Sequence, residues 1–191
     1  MLSWEQFVAN YPTGKVLDWQ ASGFARDYGR NPYSGYDTPD GVPFLFRGSL
    51  DDRGAAMQRV VGIDIGDLPI AYAIGSVRDG EAYATPIEVA GQDLVIFWKS
   101  GQASALEDDQ IAGGRDVGSV GVFSTVVDGQ VLTFSAQGPA FVDYQTSTVW
   151  SITGRALEGS LAGQQLTAVP HLDTFWFAWS TYKPGTVLIS E

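Results

Sequence analysis

The chain has no cysteine, a single histidine, and half as many basic as acidic side chains, 11 against 22. Without cysteine there are no disulfides, no thiolate metal sites and no cysteine nucleophile. With His171 alone, any catalytic triad must use it, and a zinc site would have to take its other ligands from carboxylates. The shortage of basic charge leaves a net charge of −11, with 7 basic and 13 acidic residues in 1–95 and 4 and 9 in the remainder. Such an even negative charge repels phosphate backbones and anionic lipid heads, so nucleic acid is not an expected partner. No segment approaches the roughly 20 consecutive apolar residues of a membrane span, so direct membrane insertion is not expected either. The opening Met1-Leu2-Ser3-Trp4-Glu5 also lacks the basic and apolar regions of a signal peptide. That leaves a cytoplasmic protein or a domain whose leader has been removed.

What is present is apolar and aromatic. Hydrophobic residues make up 45% of the 191 positions and aromatics 13%, which is globular composition and enough to bury a substantial core. One globular domain over residues 1–191 is expected. Ser3-Trp4-Glu5-Gln6 reads as a capping box, followed by Trp4, Phe7, Val8 and Tyr11 at helical spacing. Pro12 and Gly14 stop that helix, and Val16 to Trp19 reads as extended. The other end repeats the order. Asp173 or Thr174 can cap a helix carrying Trp176, Trp179 and Tyr182, Pro184 and Gly185 stop it, and Thr186 to Ile189 reads as a strand.

Between the ends the signal is β. Arg59 to Ile65, Leu68 to Ile74, Ile87 to Ala90 and Leu94 to Trp98 read as short strands. Val120 to Val127 and Gln130 to Ser135 flank Asp128-Gly129, a dipeptide suited to a tight hairpin turn. Phe141 to Tyr144 and Thr148 to Ile152 form a second hairpin, and Trp98 and Trp150 read as core. The expected fold class is a β-dominated α+β domain of short antiparallel strands, with short helices near both termini. A long ordered loop spans about residues 23–48.

That loop and the glycine-rich run from Gly113 to Gly121 are the strongest functional pointers, because structureless loops longer than about 12–15 residues often bind or catalyse. Arg30, Asn31 and Tyr33 from the first loop and Arg115 and Asp116 from the second are the expected ligand-binding residues. Guanidinium groups supply planar donors, Asn supplies both donor and acceptor, and Tyr supplies a stacking face. The competing reading is a cover held by Arg–Asp pairs and stacked tyrosines.

Catalytic candidates are weaker. His171 has Asp173 close enough in sequence to orient its ring, but no serine sits in a Gly-x-Ser-x-Gly elbow. Ser180-Thr181-Tyr182-Lys183 has Ser-x-x-Lys spacing without the companion motifs, and Lys183 reads as solvating a helix end. Asp37, Asp40 and Glu107-Asp108-Asp109 read as solvated acidic turns and lack the ligand spacing of an EF-hand. No metal and no cofactor are expected.

Arg26-Asp27-Tyr28-Gly29-Arg30-Asn31-Pro32-Tyr33-Ser34-Gly35-Tyr36-Asp37 resembles one branch of the prokaryotic family called domain of unknown function 3179. The resemblance continues through Arg115-Asp116-Val117-Gly118, Thr148-Val149-Trp150, Gly154-Arg155-Ala156 and Gly159-Ser160-Leu161-Ala162-Gly163. It implies an exported or lipid-anchored protein, hence an extracytoplasmic domain. Another branch carries paired cysteines after a central strand. Phe97-Trp98-Lys99-Ser100-Gly101 fills that place here, so no metal or redox role carries over. The expected function is an extracytoplasmic ligand-binding or interaction domain for a glycan fragment or small anion. The alternative is a hydrolase using a carboxylate or Ser/His arrangement.

Overall fold

The computed structural model describes residues 1–66, 68–75 and 80–190. Helix α1 (Trp4–Asn10) is followed by a long stretch without strands, broken by one 3-10 turn at Gln20–Ser22. The strands then run β1 (Arg59–Ile65), β2 (Leu68–Ala73), β3 (Ala82–Val89), β4 (Gln92–Lys99), β5 (Ser119–Ser124), β6 (Val126–Val127) and β7 (Gln130–Val131). After them come β8 (Phe134–Gln137), β9 (Ala140–Asp143), β10 (Val149–Trp150), β11 (Ala156–Glu158) and β12 (His171–Phe175). Helix α2 (Trp176–Tyr182) and β13 (Val187–Ile189) close the chain. This is the β-dominated α+β class expected, with the helices near the termini.

Three sheets have the orders β12-β1-β2-β13, β3-β4-β5 and β11-β10-β9-β8, and β6 and β7 form a separate hairpin. Neighbours are antiparallel except β13, which runs parallel to β2. Side-chain alternation sets the layering. In β4, Leu94, Ile96 and Trp98 face one way and pack with Val61, Ile63, Ile70 and Tyr72 of the first sheet. Val95 and Phe97 face the other way and pack with Phe141 and Trp150 of the third sheet. The middle sheet is thus buried on both faces, which explains why β4 reads Leu-Val-Ile-Phe-Trp without a polar break. Phe97 and Phe141 stack at 4.0 Å with their planes 5° apart, welding the second and third layers.

The outer face of the first sheet carries α2. Val60 and Ala71 pack there against Trp176 and Trp179. A Cβ at Gly62 would lie 2.3 Å from the Trp179 ring, so glycine lets the indole lie directly on the strand. Asp128 and Gly129 both take positive φ, 48° and 80°, as the predicted tight turn between β6 and β7 requires.

Several local expectations are corrected. The N-cap of α2 is Phe175, in extended conformation with no side-chain cap, because Asp173 and Thr174 belong to β12 and pair with β1. Strand β3 begins at Ala82, before Pro86, because an edge strand tolerates a missing N–H. Val16 to Trp19 forms no strand, so the matching order of the two ends holds only at the C-terminus, where β13 finds β2.

The capping box of α1 is present, but its apolar stripe is not the docked face. Buried Gln6 points inward, its Nε2 donating to Ser100 O at 2.9 Å, and Asn10 Oδ1 accepts from Thr153 Oγ1 at 2.9 Å. Trp4 and Tyr11 stay 65% and 49% exposed, because this short helix is held by hydrogen bonds on its polar side.

Candidate functional site

The long loop is organised by backbone pairing to the segment around Glu107 rather than by its own side chains. Asn31 N donates to Asp109 O at 2.9 Å, Gly35 N to Glu107 O at 2.6 Å, and Ile111 N to Gly29 O at 3.0 Å. The buried Asn31 side chain accepts from Tyr33 N at 2.8 Å and donates to Asp108 O at 3.1 Å, which staples the turn. Arg30 forms an exposed ion pair with Asp109 at 2.6 Å, and Tyr33 is exposed.

The loop then delivers Asp37 into the interior. This carboxylate is completely buried and accepts from Arg115 Nη2 at 2.7 Å, Arg59 Nη1 at 3.1 Å and Ser104 Oγ at 2.6 Å. Each arginine has a second carboxylate. Arg59 Nη2 donates to Asp173 Oδ1 at 2.8 Å, and Arg115 Nη1 donates to Glu107 Oε1 at 2.9 Å. Burial lowers the pKa of Arg115, but its hydrogen bonds to Glu107 and Asp37 outweigh that and hold it above its ordinary value. Asp37 is therefore no solvated acidic turn. It joins the loop, β1 and the second glycine-rich segment, and with its partners makes a network of three carboxylates and two guanidinium groups.

Arg59 and Arg115 form one wall of a cavity of about 480 Å³. Met57, Ile74 and Trp98 supply apolar surface, and Asp40, Gln58 and Asp116 supply polar groups. The glycine-rich segment is built to hold the indole there. Trp98 Nε1 donates to Val117 O at 3.0 Å, and Gly118, with φ +69°, sits where a Cβ would be 2.2 Å from the ring. Asp116 is saturated, accepting from the backbone N–H groups of Gly101, Gln102 and Gly118. Among the described residues, neither the Asp40 carboxylate nor the Gln58 side-chain amide has a hydrogen-bond partner, and the buried Arg59 Nε–H also lacks one.

Of the residues expected to converge, Arg115 and Asp116 line this cavity, while Arg30, Asn31 and Tyr33 do not. The two loops do meet, but at the Asp37–Arg115 contact and the Glu107–Ile111 pairing. His171 and Asp173 lie on β12 without forming a dyad. His171 Nδ1 is bonded to Val169 O at 2.8 Å, and Asp173 is engaged by Arg59. Ser180 bonds Trp176 O, and Lys183 pairs with Asp64, so the Ser-x-x-Lys spacing serves the end of α2. No group of three or more His, Asp or Glu side chains suited to a metal occurs among the described residues. Sequence reading missed Arg59 and Gln58, and it gave Asp37 and Asp40 no site role. An arginine opening an apolar strand was the one available signal for Arg59.

The fold and site together define a layered β-dominated domain with a buried ion network backing an open cavity. The chain belongs to the family described as Protein of unknown function (DUF3179), which matches residues 1–186. No curated protein and no solved structure matches it.

Proposed function

We propose that this is a binding domain for a small, hydroxyl-rich ligand, a glycan fragment, seated in the cavity beside Arg59, Arg115 and Trp98. One observation carries the reading. The cavity's guanidinium groups are already neutralised by carboxylates, and among the described residues its side-chain groups left open are the Asp40 carboxylate, the Gln58 amide and the Arg59 Nε–H. A simple anion would face Asp40 with no free cation among the described residues to offset the repulsion. Sugar hydroxyls donate to a carboxylate and both donate to and accept from an amide. The apolar flank of a sugar ring fits against Met57, Ile74 and Trp98. The buried network favours a site because a buried ion cluster contributes little net stability but fixes its members rigidly.

Isothermal titration with a panel of neutral mono- and disaccharides, and with acetate and sulfate, tests this. The expectation is saccharide binding that Ala55→Trp abolishes by filling the cavity mouth without altering the network. Binding of acetate or sulfate with no saccharide binding would contradict it. We also propose an extracytoplasmic location, supported by the resemblance to exported and lipid-anchored proteins. Alkaline phosphatase fusions to the full-length protein should be active, and an inactive but well-expressed fusion would place it in the cytoplasm.

A further inference from the structure

A second cavity, of about 310 Å³, lies between α1 and the end of β4, and Ser100 lines both cavities. Trp98 faces the first, and Lys99, one residue on, lines the second. The Ser100–Gly101 turn lies where the two linings meet. It is held by the Gln6 Nε2 bond to Ser100 O and by the Ser100 N bond to Glu81 O at 3.0 Å.

Lys99 is an anomaly of charge. Arg30, Arg53, Arg59, Arg115 and Lys183 all have carboxylate partners. Lys15, Arg26, Arg47 and Arg155 have none and are exposed to water. Among the described residues Lys99 alone is partly buried with no ion pair and no hydrogen bond to its ammonium group. In a chain with twice as many acids as bases, a partly buried cation with no carboxylate paired to it is not there for charge balance. Glu5, also in this lining, makes no ion pair with it, and the other polar neighbours, Ser3, Gln6, Asn10, Ser100 and Ser151, are neutral. The second cavity therefore has an available cation, which the first lacks among the described residues.

We propose that this cavity is an oxyanion subsite for the same ligand: the glycan fragment carries a carboxylate or sulfate group that Lys99 Nζ receives. The inference rests on the saccharide reading of the first cavity. A ligand at least two sugar units long would lie across Ser100, its neutral unit against Trp98 and its acidic unit against Lys99.

The test compares neutral disaccharides with their uronate and sulfated counterparts, using the full chain. An acidic form should bind about tenfold tighter than the neutral one, the worth of a charge-assisted hydrogen bond, and the advantage should shrink as salt rises. Whether the uronate or the sulfated form gains tells which oxyanion is recognised. Lys99→Met, which keeps the stem length, should equalise the acidic and neutral forms and leave neutral binding intact. Ala9→Trp, filling the second cavity, should do the same. Equal binding of acidic and neutral forms by the wild type would overturn the subsite and leave the first reading standing. An acidic preference surviving in both variants would place the anion elsewhere and also overturn it. Failure of every saccharide to bind would overturn both readings.

Discussion

Asp37 and Asp143 are both completely buried, and the chain satisfies them in opposite ways. Asp143 is served by neutral donors from its own hairpin: Thr146 N at 2.6 Å, Thr148 N at 3.2 Å and Trp150 Nε1 at 2.9 Å. Every partner lies within seven residues, so the carboxylate shapes the β9–β10 turn and anchors Trp150 in the core. Asp37 instead draws two guanidinium groups and a hydroxyl from residues 22 to 78 positions away, and its partners Arg59 and Arg115 line a cavity. A carboxylate held locally by neutral donors is scaffold. One held by distant cations beside an open cavity also orders a site.

Substitutions can break this contrast, beginning with the largest effect. Asp143→Ala leaves Thr148 N and Trp150 Nε1 buried without acceptors, and two such orphans cost about 3–4 kcal/mol. Urea unfolding should show that loss in one cooperative transition, with ligand binding by the folded fraction unchanged. Asp37→Asn keeps the shape but removes the charge facing two arginines. It should cost about 2–3 kcal/mol, less than full deletion of a buried partner because Arg59 and Arg115 keep Asp173 and Glu107. Unlike the first change, it should weaken saccharide binding.

Surface pairs sharpen the comparison from below. Arg30→Ala removes an exposed ion pair and should change stability by no more than about 0.5 kcal/mol, leaving binding intact. The hydrogen bonds from Arg53 hold the Asp51 carboxyl below the usual carboxylate range. A lowered folded pKa adds stability above the unfolded value of about 4 and loses it as pH falls through the folded value. Asp51→Asn should therefore lower stability slightly at neutral pH, flatten the acid limb, and leave stability below the folded value nearly unchanged.

Much of the fold was legible because period and turn chemistry are local. The boundaries of β1 match the predicted strand, and Asp128-Gly129 forms the predicted turn. The site was only half legible. Arg115 stood out in its glycine-rich run, but nothing near Asp37 announces that it will be buried 78 positions away from the arginine that holds it. The outward stripe of α1 misled for a related reason. Periodicity shows which residues share a face, while long-range hydrogen bonds from Gln6 and Asn10 decide which face docks.

Hydrogen exchange on Asp37→Asn and Asp143→Asn, read peptide by peptide beside the wild type, tests the division between site and scaffold most directly. The prediction is that Asp37→Asn speeds exchange in residues 29–41 and 104–116 while β8 to β10 keep their protection, and that Asp143→Asn does the reverse. If Asp37→Asn leaves the loop as protected as before, or loosens both regions alike, Asp37 does not tie the loop to the cavity and the division fails.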